Sequence, residues 1–238
     1  MVNSESGTTG AKNVIGEPAT ADPADVARKK AAAPTLKLPP EPEWELGEDG
    51  RVTYYKMQKM SVRRKARNRI GELLFNMFIT HIPSHTIRQG FLRLFGATIG
   101  EWSTIMRGTT ILDIEFLTVG NGTTIGFRCL LDARAGLWIG DNVTIASDVH
   151  LLGGGHDINH PDFLPIPIPT VIEDYVWIAS RAMVLPALIG RGAVVAAQAL
   201  VVKDVAPLDV VGGNPAKVFA KRNPDALGYS AKYRPLFC

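Results

Sequence analysis

The sequence predicts an all-β solenoid of about five coils, with a helical segment before it and a short helix after it. An aliphatic-glycine dipeptide recurs at Ile99-Gly100, Val119-Gly120 and Ile139-Gly140, twenty residues apart. Within and beyond these units, apolar residues recur in runs of three that are six residues apart, and in each twenty-residue unit two further residues complete the coil. The series runs through Ile99, Ile105, Ile111, Val119, Ile125, Leu131, Ile139, Ile145 and Leu151, and resumes at Ile172, Ile178, Val184, Ile189, Val195 and Val201. A period of six fits neither a helix nor a simple strand, and is typical of triangular coils whose short strands each point one aliphatic residue inward.

The series is interrupted once, by the loop 152–170, which reads LGGGHDINHPDFLPIPIPT. Turn-forming glycines and prolines replace the apolar steps there, and two histidines, His156 and His160, arrive together. A polar loop that interrupts a repeat more often forms a site than a packing surface. The loop is therefore the candidate functional region.

Changes in composition and the positions of turn-forming residues predict that the chain is divided into four parts. Residues 1–45 are rich in Ala, Pro, Gly, Ser and Thr, which predicts a disordered tail. Residues 46–95 form a basic helical segment, and residues 96–210 form the solenoid. Residues 211–238 are predicted to form a short helix and a tail, because Asn and Pro at 214 and 215 are favoured at a helix start.

The stretch 56–79 carries a dense group of Lys and Arg followed by large apolar residues. One interpretation is an amphipathic helix packed on a neighbouring element, which most helical apolar stripes are. The other is a basic surface helix that contacts anionic lipid. The packing interpretation is favoured, and peripheral membrane contact is kept as the alternative.

The charge and cysteine content exclude several classes of protein. A net charge of +3 is too small to indicate nucleic-acid binding. The two cysteines form no disulfide framework or metal-binding spacing, which suits a reducing compartment. The N-terminus lacks the apolar core of a signal peptide, and the longest nearly apolar run, 73–82, is far shorter than the roughly 20 residues of a membrane span. We expect a cytoplasmic protein, with membrane contact limited to its surface.

Four segments together resemble the hexapeptide-repeat acyltransferases, which have a left-handed parallel β-helix. They are GGHD at 154–157, IEDYVWIASRAMVLP at 172–186, VVAAQALVVKDV at 194–205 and GGNPAKV at 212–218. The resemblance is strongest to galactoside and maltose O-acetyltransferases and to the acetyltransferases assigned to colanic acid and other exopolysaccharide synthesis. It covers roughly 96–222 and implies a homotrimer that transfers acetyl from acetyl-CoA to a sugar or glycan hydroxyl.

The resemblance also implies roles for individual residues. His156 matches the loop histidine that acts as general base, a task suited to a side chain that titrates near neutrality. Asp132, in LLDARAG, and Asp157, which follows His156, are the candidates for contact with the acceptor.

The coenzyme A contacts of the family match five positions of this sequence. Trp177 and Ser180 stand in the segment that contacts the cofactor, and Ala197 matches the residue whose backbone binds the pantetheine arm. Lys203 is retained from a Thr-Lys pair, and Lys217 stands where galactoside acetyltransferases often carry Arg. Cations there are suited to the phosphates of coenzyme A.

Two departures from the family pattern affect the expected cofactor groove. The segment 186–190 is one residue shorter than usual, and Gln198 replaces the glycine common at that corner. We expect both to alter the edge of the groove.

Two other functions stay open at this point. A non-catalytic solenoid scaffold would need none of the site residues. A zinc-dependent carbonic anhydrase is a weaker alternative, because the histidine intervals here are six, from His150 to His156, and four, from His156 to His160. Those enzymes place two histidines five apart, so we expect no metal.

Overall fold

A computed structural model describes residues 19–56 and 58–236. The helices are α1 (Pro23–Ala32), α2 (Val62–Met77) and α3 (His85–Leu94), with single 3-10 turns at Ile79–His81, Ile114–Phe116 and Pro224–Ala226. The strands are β1 (Glu43–Leu46), β2 (Val52–Lys56), β3 (Thr98–Ile99), β4 (Thr104–Ile105), β5 (Thr110–Leu112), β6 (Leu117–Val119), β7 (Thr124–Ile125), β8 (Leu130–Asp132), β9 (Leu137–Ile139), β10 (Thr144–Ile145), β11 (His150–Leu151), β12 (Gly155–His156), β13 (Pro165–Ile166), β14 (Thr170–Ile172), β15 (Trp177–Ile178), β16 (Met183–Val184), β17 (Leu188–Ile189), β18 (Val194–Val195), β19 (Leu200–Val201), β20 (Asp209–Gly212) and β21 (Lys217–Lys221).

Three parallel sheets form the walls of a β-helix. Their strand orders are β3-β6-β9-β14-β17, β4-β7-β10-β15-β18-β20 and β5-β8-β11-β16-β19. Each coil contributes one strand to each sheet, which gives five complete coils, and β20 begins a sixth. The predicted parallel β-helix is confirmed, and it has about six turns where the sequence predicts about five.

The apolar series supplies the core of this β-helix. Every residue of the six-residue series is buried. Equivalent residues stack in register from coil to coil, as Ile125 pairs with Ile145 and Ile145 with Ile178. The second pairing spans the loop 152–170, so the insertion leaves the stacking undisturbed. Each coil therefore buries its aliphatic residues against the next, which is the main source of stability in a solenoid.

Close stacking at the corners explains the glycine of the recurring dipeptide. A Cβ at Gly120 would stand 2.6 Å from the carbonyl carbon of Gly140. A second corner needs a left-handed backbone, which Gly108 adopts with φ +75°. Gln198 occupies the equivalent corner of a later coil with φ +60°. The unusual Gln198 therefore keeps the backbone conformation that a glycine provides there.

The predicted disorder of residues 1–45 is wrong for much of the described part. Residues 1–18 of that range lie outside the described residues, whereas 23–32 form α1. Asp22 caps this helix by accepting from the Ala24 N–H, and Pro23 begins it. Ala33 and Leu36 then pack on Val171 of the β-helix. Composition alone missed these contacts, because they are made with a distant part of the chain.

The basic segment 46–95 begins with a hairpin of β1 and β2, so Lys56 lies in a strand rather than a helix. α2 and α3 follow as predicted. The inner face of α2 packs on the β-helix through Asn68, Gly71 and Phe75. A Cβ at Gly71 would stand 2.1 Å from the Phe95 ring, so this glycine allows the two helical regions to approach closely.

The helix expected after residue 214 does not form. Residues 217–221 are instead strand β21, antiparallel to β20, and the only helical turn in the described part of this region is Pro224–Ala226. The last strand of a sheet presents unpaired backbone groups, and β21 satisfies them. No helix in the described residues combines the length and the apolar character needed to cross a bilayer.

We predict that Gly120→Ala lowers stability by about 1–3 kcal/mol, because its methyl group would overlap the backbone of the next coil. Gly90 is the matched control, since a Cβ there meets no atom within 4 Å. Gly90→Ala lies inside α3 and should raise stability by up to about 1 kcal/mol. Urea unfolding followed by circular dichroism measures both, and equal effects of the two substitutions would contradict the stacking argument.

Candidate active site

Hydrogen bonds join the two ends of the loop 152–170 where it departs from the β-helix, and we call this paired region the neck. The Thr170 hydroxyl donates to the carbonyl of Leu152 at 2.7 Å, and the Gly154 N–H donates to the carbonyl of Ile168 at 3.0 Å. Gly154 has φ +83°, and a Cβ there would stand 2.7 Å from the Ile166 oxygen. The glycine run therefore lets the two sides of the neck come together, after which β12 pairs with β13.

This pairing fixes the position and the tautomer of His156. Its Nδ1 lies 2.9 Å from the carbonyl oxygen of Phe163. Because a carbonyl oxygen can only accept, Nδ1 is the nitrogen that carries the proton. The neutral ring therefore has its lone pair on Nε2. The side chain is exposed, so Nε2 is the nitrogen available to take a proton from a bound molecule.

Phe163 supports the same ring from its face. The two rings are stacked at 4.4 Å between centroids, with an interplanar angle of 9°. Phe163 has φ +46°, an uncommon conformation for an aromatic residue, and such outliers collect at functional sites. The sequence analysis missed Phe163, because nothing in the local pattern shows that a hairpin brings residues 156 and 163 together.

A pocket of about 160 Å³ lies beside His156. Asp132, Arg134 and the glycines 153–155 form part of its lining. The structure thus brings together two of the predicted site residues, His156 and Asp132. Their meeting follows from the coil repeat, because β8, which ends at Asp132, pairs with β11, from which the loop departs.

The carboxylate of Asp132 is buried and paired with Arg134. Oδ2 accepts from Nη2 of Arg134 at 2.8 Å, and Oδ1 accepts from Nε at 2.9 Å. The guanidinium is half-exposed at the pocket. Behind it, Gln58 donates to the carboxylate of Asp113, whose pKa is raised above the usual range by burial. The pocket therefore presents a fixed ion pair whose exposed partner is Arg134.

The structure places Asp157 and His160 away from this pocket. The Asp157 carboxylate accepts from the backbone N–H groups of Ala19, Asn159 and His160. These hydrogen bonds, the one from Ala19 foremost, hold the pKa of Asp157 below its usual range. The Asp157 carboxylate thus holds the loop against residues 19–42, which we call the N-terminal arm. Contact of Asp157 with an acceptor stays a prediction. His160 is buried, and its Nδ1 accepts from the Asp162 N–H at 3.2 Å.

The five residues expected to bind coenzyme A lie on later coils than the pocket. Trp177 is exposed on β15, and Ser180 and Ala197 occupy the same corner of consecutive coils. The Gln198 N–H donates to the Ser180 carbonyl at 3.0 Å, which fixes that stacking. Lys203 is exposed at the next corner, and Lys217 is exposed at the start of β21 rather than on a helix. None of the five lines the His156 pocket.

The described residues contain no group of three or more His, Cys, Asp or Glu placed to hold a metal ion. The site is instead a hairpin-held histidine at the mouth of a small pocket. A parallel β-helix of stacked hexapeptides with such a histidine-bearing loop defines the hexapeptide-repeat acyltransferase class.

Comparison with known proteins agrees with this class. No protein-family profile matches the chain. It is 34% identical over 136 residues to WcaF of Escherichia coli (strain K12), which is assigned as a colanic acid biosynthesis acetyltransferase; the match covers 57% of this chain and 75% of WcaF. It is 57% identical over 54 residues to an Escherichia coli chloramphenicol acetyltransferase, covering 22% of this chain and 26% of that protein. The match to these chloramphenicol acetyltransferases thus spans about a quarter of their length.

The solved structures include a hexapeptide-repeat-containing acetyltransferase from Vibrio cholerae complexed with acetyl coenzyme A. It is 25% identical, with a TM-score of 0.61, over 71% of this chain and 93% of that one. Together with the similarity to WcaF, this places the chain in a family. The chain belongs to the hexapeptide-repeat acetyltransferases.

Proposed function

We propose that the protein is an O-acetyltransferase that uses acetyl-CoA, with a hydroxyl of a sugar or glycan intermediate as acceptor. The observation that carries this proposal is the hydrogen bond from Nδ1 of His156 to the Phe163 carbonyl, which leaves Nε2 as the basic nitrogen of a side chain that lines the pocket. Family membership supports acetyl-CoA as donor. The similarity to WcaF supports an acceptor from glycan synthesis.

In the proposed reaction, Nε2 of His156 removes the proton of the acceptor hydroxyl as its oxygen attacks the acetyl carbonyl carbon. The new C–O bond forms, the C–S bond of the thioester breaks, and the proton passes from His156 to the departing thiolate. The Phe163 carbonyl stabilises the transient imidazolium, because it accepts from Nδ1–H throughout. A backbone N–H would stabilise the oxyanion.

The proposal includes a homotrimer with coenzyme A bound between subunits. Trp177, Ser180, Ala197, Lys203 and Lys217 would contact the cofactor. Their exposure supports this arrangement, since all five side chains are accessible on one chain. Among the described residues, Lys203 and Lys217 form no ion pair, which suits contact with phosphate.

We predict that His156→Gln lowers the turnover number for acetyl transfer by about 10²–10⁴-fold, the usual contribution of a general base. His81→Gln is the matched control, because His81 is exposed on the 3-10 turn after α2 and does not line the pocket. Release of free coenzyme A thiol over a panel of sugar acceptors measures turnover, and calorimetry measures acetyl-CoA binding.

His156→Gln should leave acetyl-CoA affinity and oligomeric state unchanged. Transfer at more than half the wild-type rate in that variant would contradict the assigned base. A wild-type protein that does not bind acetyl-CoA would instead be a non-catalytic scaffold.

We also propose that the outer face of α2 contacts an anionic membrane surface. At 100° per residue, Ile70, Leu73 and Met77 lie within about 60° of one another, roughly opposite the buried Phe75. Their exposed fractions are 54%, 46% and 61%. This apolar stripe supports the membrane interpretation, whereas the inner face alone accounts for packing on the β-helix.

The charges of α2 favour anionic lipid over a second copy of the chain. Arg63, Lys65, Arg67 and Arg69 are exposed in its first half. Its one acidic residue, Glu72, pairs with Arg69 and accepts from the Asp113 N–H, which leaves the charges of Arg63, Lys65 and Arg67 in excess. Basic residues beside an apolar stripe are typical of helices that lie on membranes, and two copies of this face would repel each other.

We predict that the full chain pellets with phosphatidylglycerol vesicles and not with phosphatidylcholine vesicles. Leu73→Gln/Met77→Gln and, separately, Arg63→Gln/Lys65→Gln should each weaken binding by about tenfold or more. Arg107→Gln/Arg181→Gln removes the same charge from corners of the β-helix and should have little effect. Equal pelleting with both lipids, or a changed oligomeric state in the apolar variant, would contradict membrane contact.

A further inference from the structure

A second space, of about 500 Å³, lies between the N-terminal arm and the loop 152–170. We refer to it as the apolar chamber; it is lined by residues from 19–44, by Tyr55 and Ala135, and by residues from 164–169. Apart from Thr20, Lys30 and Glu41, every lining residue is Ala, Pro, Val, Leu or aromatic. Both its size and its lining are typical of a small-molecule site.

One wall of the chamber follows from the sequence PIPIP at 165–169. Alternation along an extended segment places Pro165, Pro167 and Pro169 on one face, and all three line the chamber. The facing wall is the proline-rich strip 38–42 of the arm. Proline fixes φ, so both walls are stiff and need little ordering when a molecule binds.

Hydrogen bonds hold the two walls at a fixed separation. The Asp157 carboxylate accepts from the Ala19 N–H at 2.9 Å, and the Asp162 carboxylate accepts from the Val52 N–H at 2.8 Å. On the far side, the Trp138 Nε1–H donates to the Thr35 hydroxyl at 2.9 Å. The loop carboxylates thus bind the arm and the hairpin, and these hydrogen bonds fix the shape of the chamber.

The chamber adjoins the His156 pocket. Ala135, Pro165 and Pro167 line both spaces, so the two share a wall. Its far end holds the aromatic pair Trp44 and Tyr55, which face each other across β1 and β2. A molecule can therefore place a hydroxyl at His156 and extend an apolar body over the shared wall.

We infer that the acceptor is amphiphilic: a hydroxyl-bearing head reaches His156, and an uncharged alkyl or aryl portion occupies the apolar chamber. This inference rests on the proposed acetyl transfer and specifies the chemical class of its acceptor. The lining supports an uncharged portion, because Lys30 and Glu41 are the only charged side chains among the described residues that form it, and they have opposite signs. Burial of apolar surface against the chamber supplies the affinity.

Paired glycosides test the inference on the full chain. Calorimetry compares octyl β-D-glucoside and octyl β-D-galactoside, below their micelle-forming concentrations, with the corresponding methyl glycosides. We expect the octyl compounds to bind at least about tenfold more tightly. Trp44→Ala should remove most of that preference and leave methyl glycoside binding unchanged. Tyr54→Ala is the matched control, since Tyr54 neighbours Tyr55 in β2 but does not line the chamber.

The same compounds are then assayed as acceptors by release of coenzyme A thiol. An octyl preference in binding without transfer would leave the chamber in place and contradict the proposed function. Transfer without an octyl preference, or with an equal effect of Trp44→Ala on both kinds of glycoside, would overturn the inference and leave the function in place. Absence of any octyl preference in binding also overturns it, including where another segment of the chain fills the chamber.

Discussion

The structure depends on the close stacking of successive coils. Aliphatic residues fill the interior at every sixth position, and the corners pass so near one another that a Cβ at Gly120 would overlap Gly140. Such a core fixes the register of each strand on the next. It also explains how Ile145 still pairs with Ile178 although the loop 152–170 lengthens this step to 33 residues, compared with 20 from Ile125 to Ile145. The rigid stack of coils therefore holds both ends of the loop in fixed positions.

The loop, held at both ends in this way, orients the side chain of His156. Its neck is closed by Thr170, and its hairpin places the Phe163 carbonyl at Nδ1 and the Phe163 ring against the imidazole. The same loop binds the N-terminal arm through Asp157 and the β1–β2 hairpin through Asp162. The His156 pocket and the apolar chamber therefore share a wall formed by this loop. Asp157, which is expected to contact the acceptor, helps to hold that wall in place.

Features that depend on local sequence pattern could be predicted. The solenoid, its buried series and the loop follow from the six-residue period and its interruption, and the meeting of Asp132 with the His156 loop follows from the coil repeat. Contacts between distant segments could not be predicted in this way. Phe163 acts through a hairpin, α1 is held by Val171, and β21 forms because β20 offers an open edge. In each case, a tertiary partner decides the structure that composition alone left open or assigned wrongly.

We propose that His156 carries its proton on Nδ1 and that Nε2 is the general base. The ¹⁵N chemical shifts of the His156 ring, assigned in the full chain by comparison with His156→Gln, test it directly at a pH where the ring is neutral. We expect a protonated Nδ1 and an unprotonated Nε2, as the hydrogen bond to the Phe163 carbonyl requires. A proton on Nε2 in the neutral ring would contradict it.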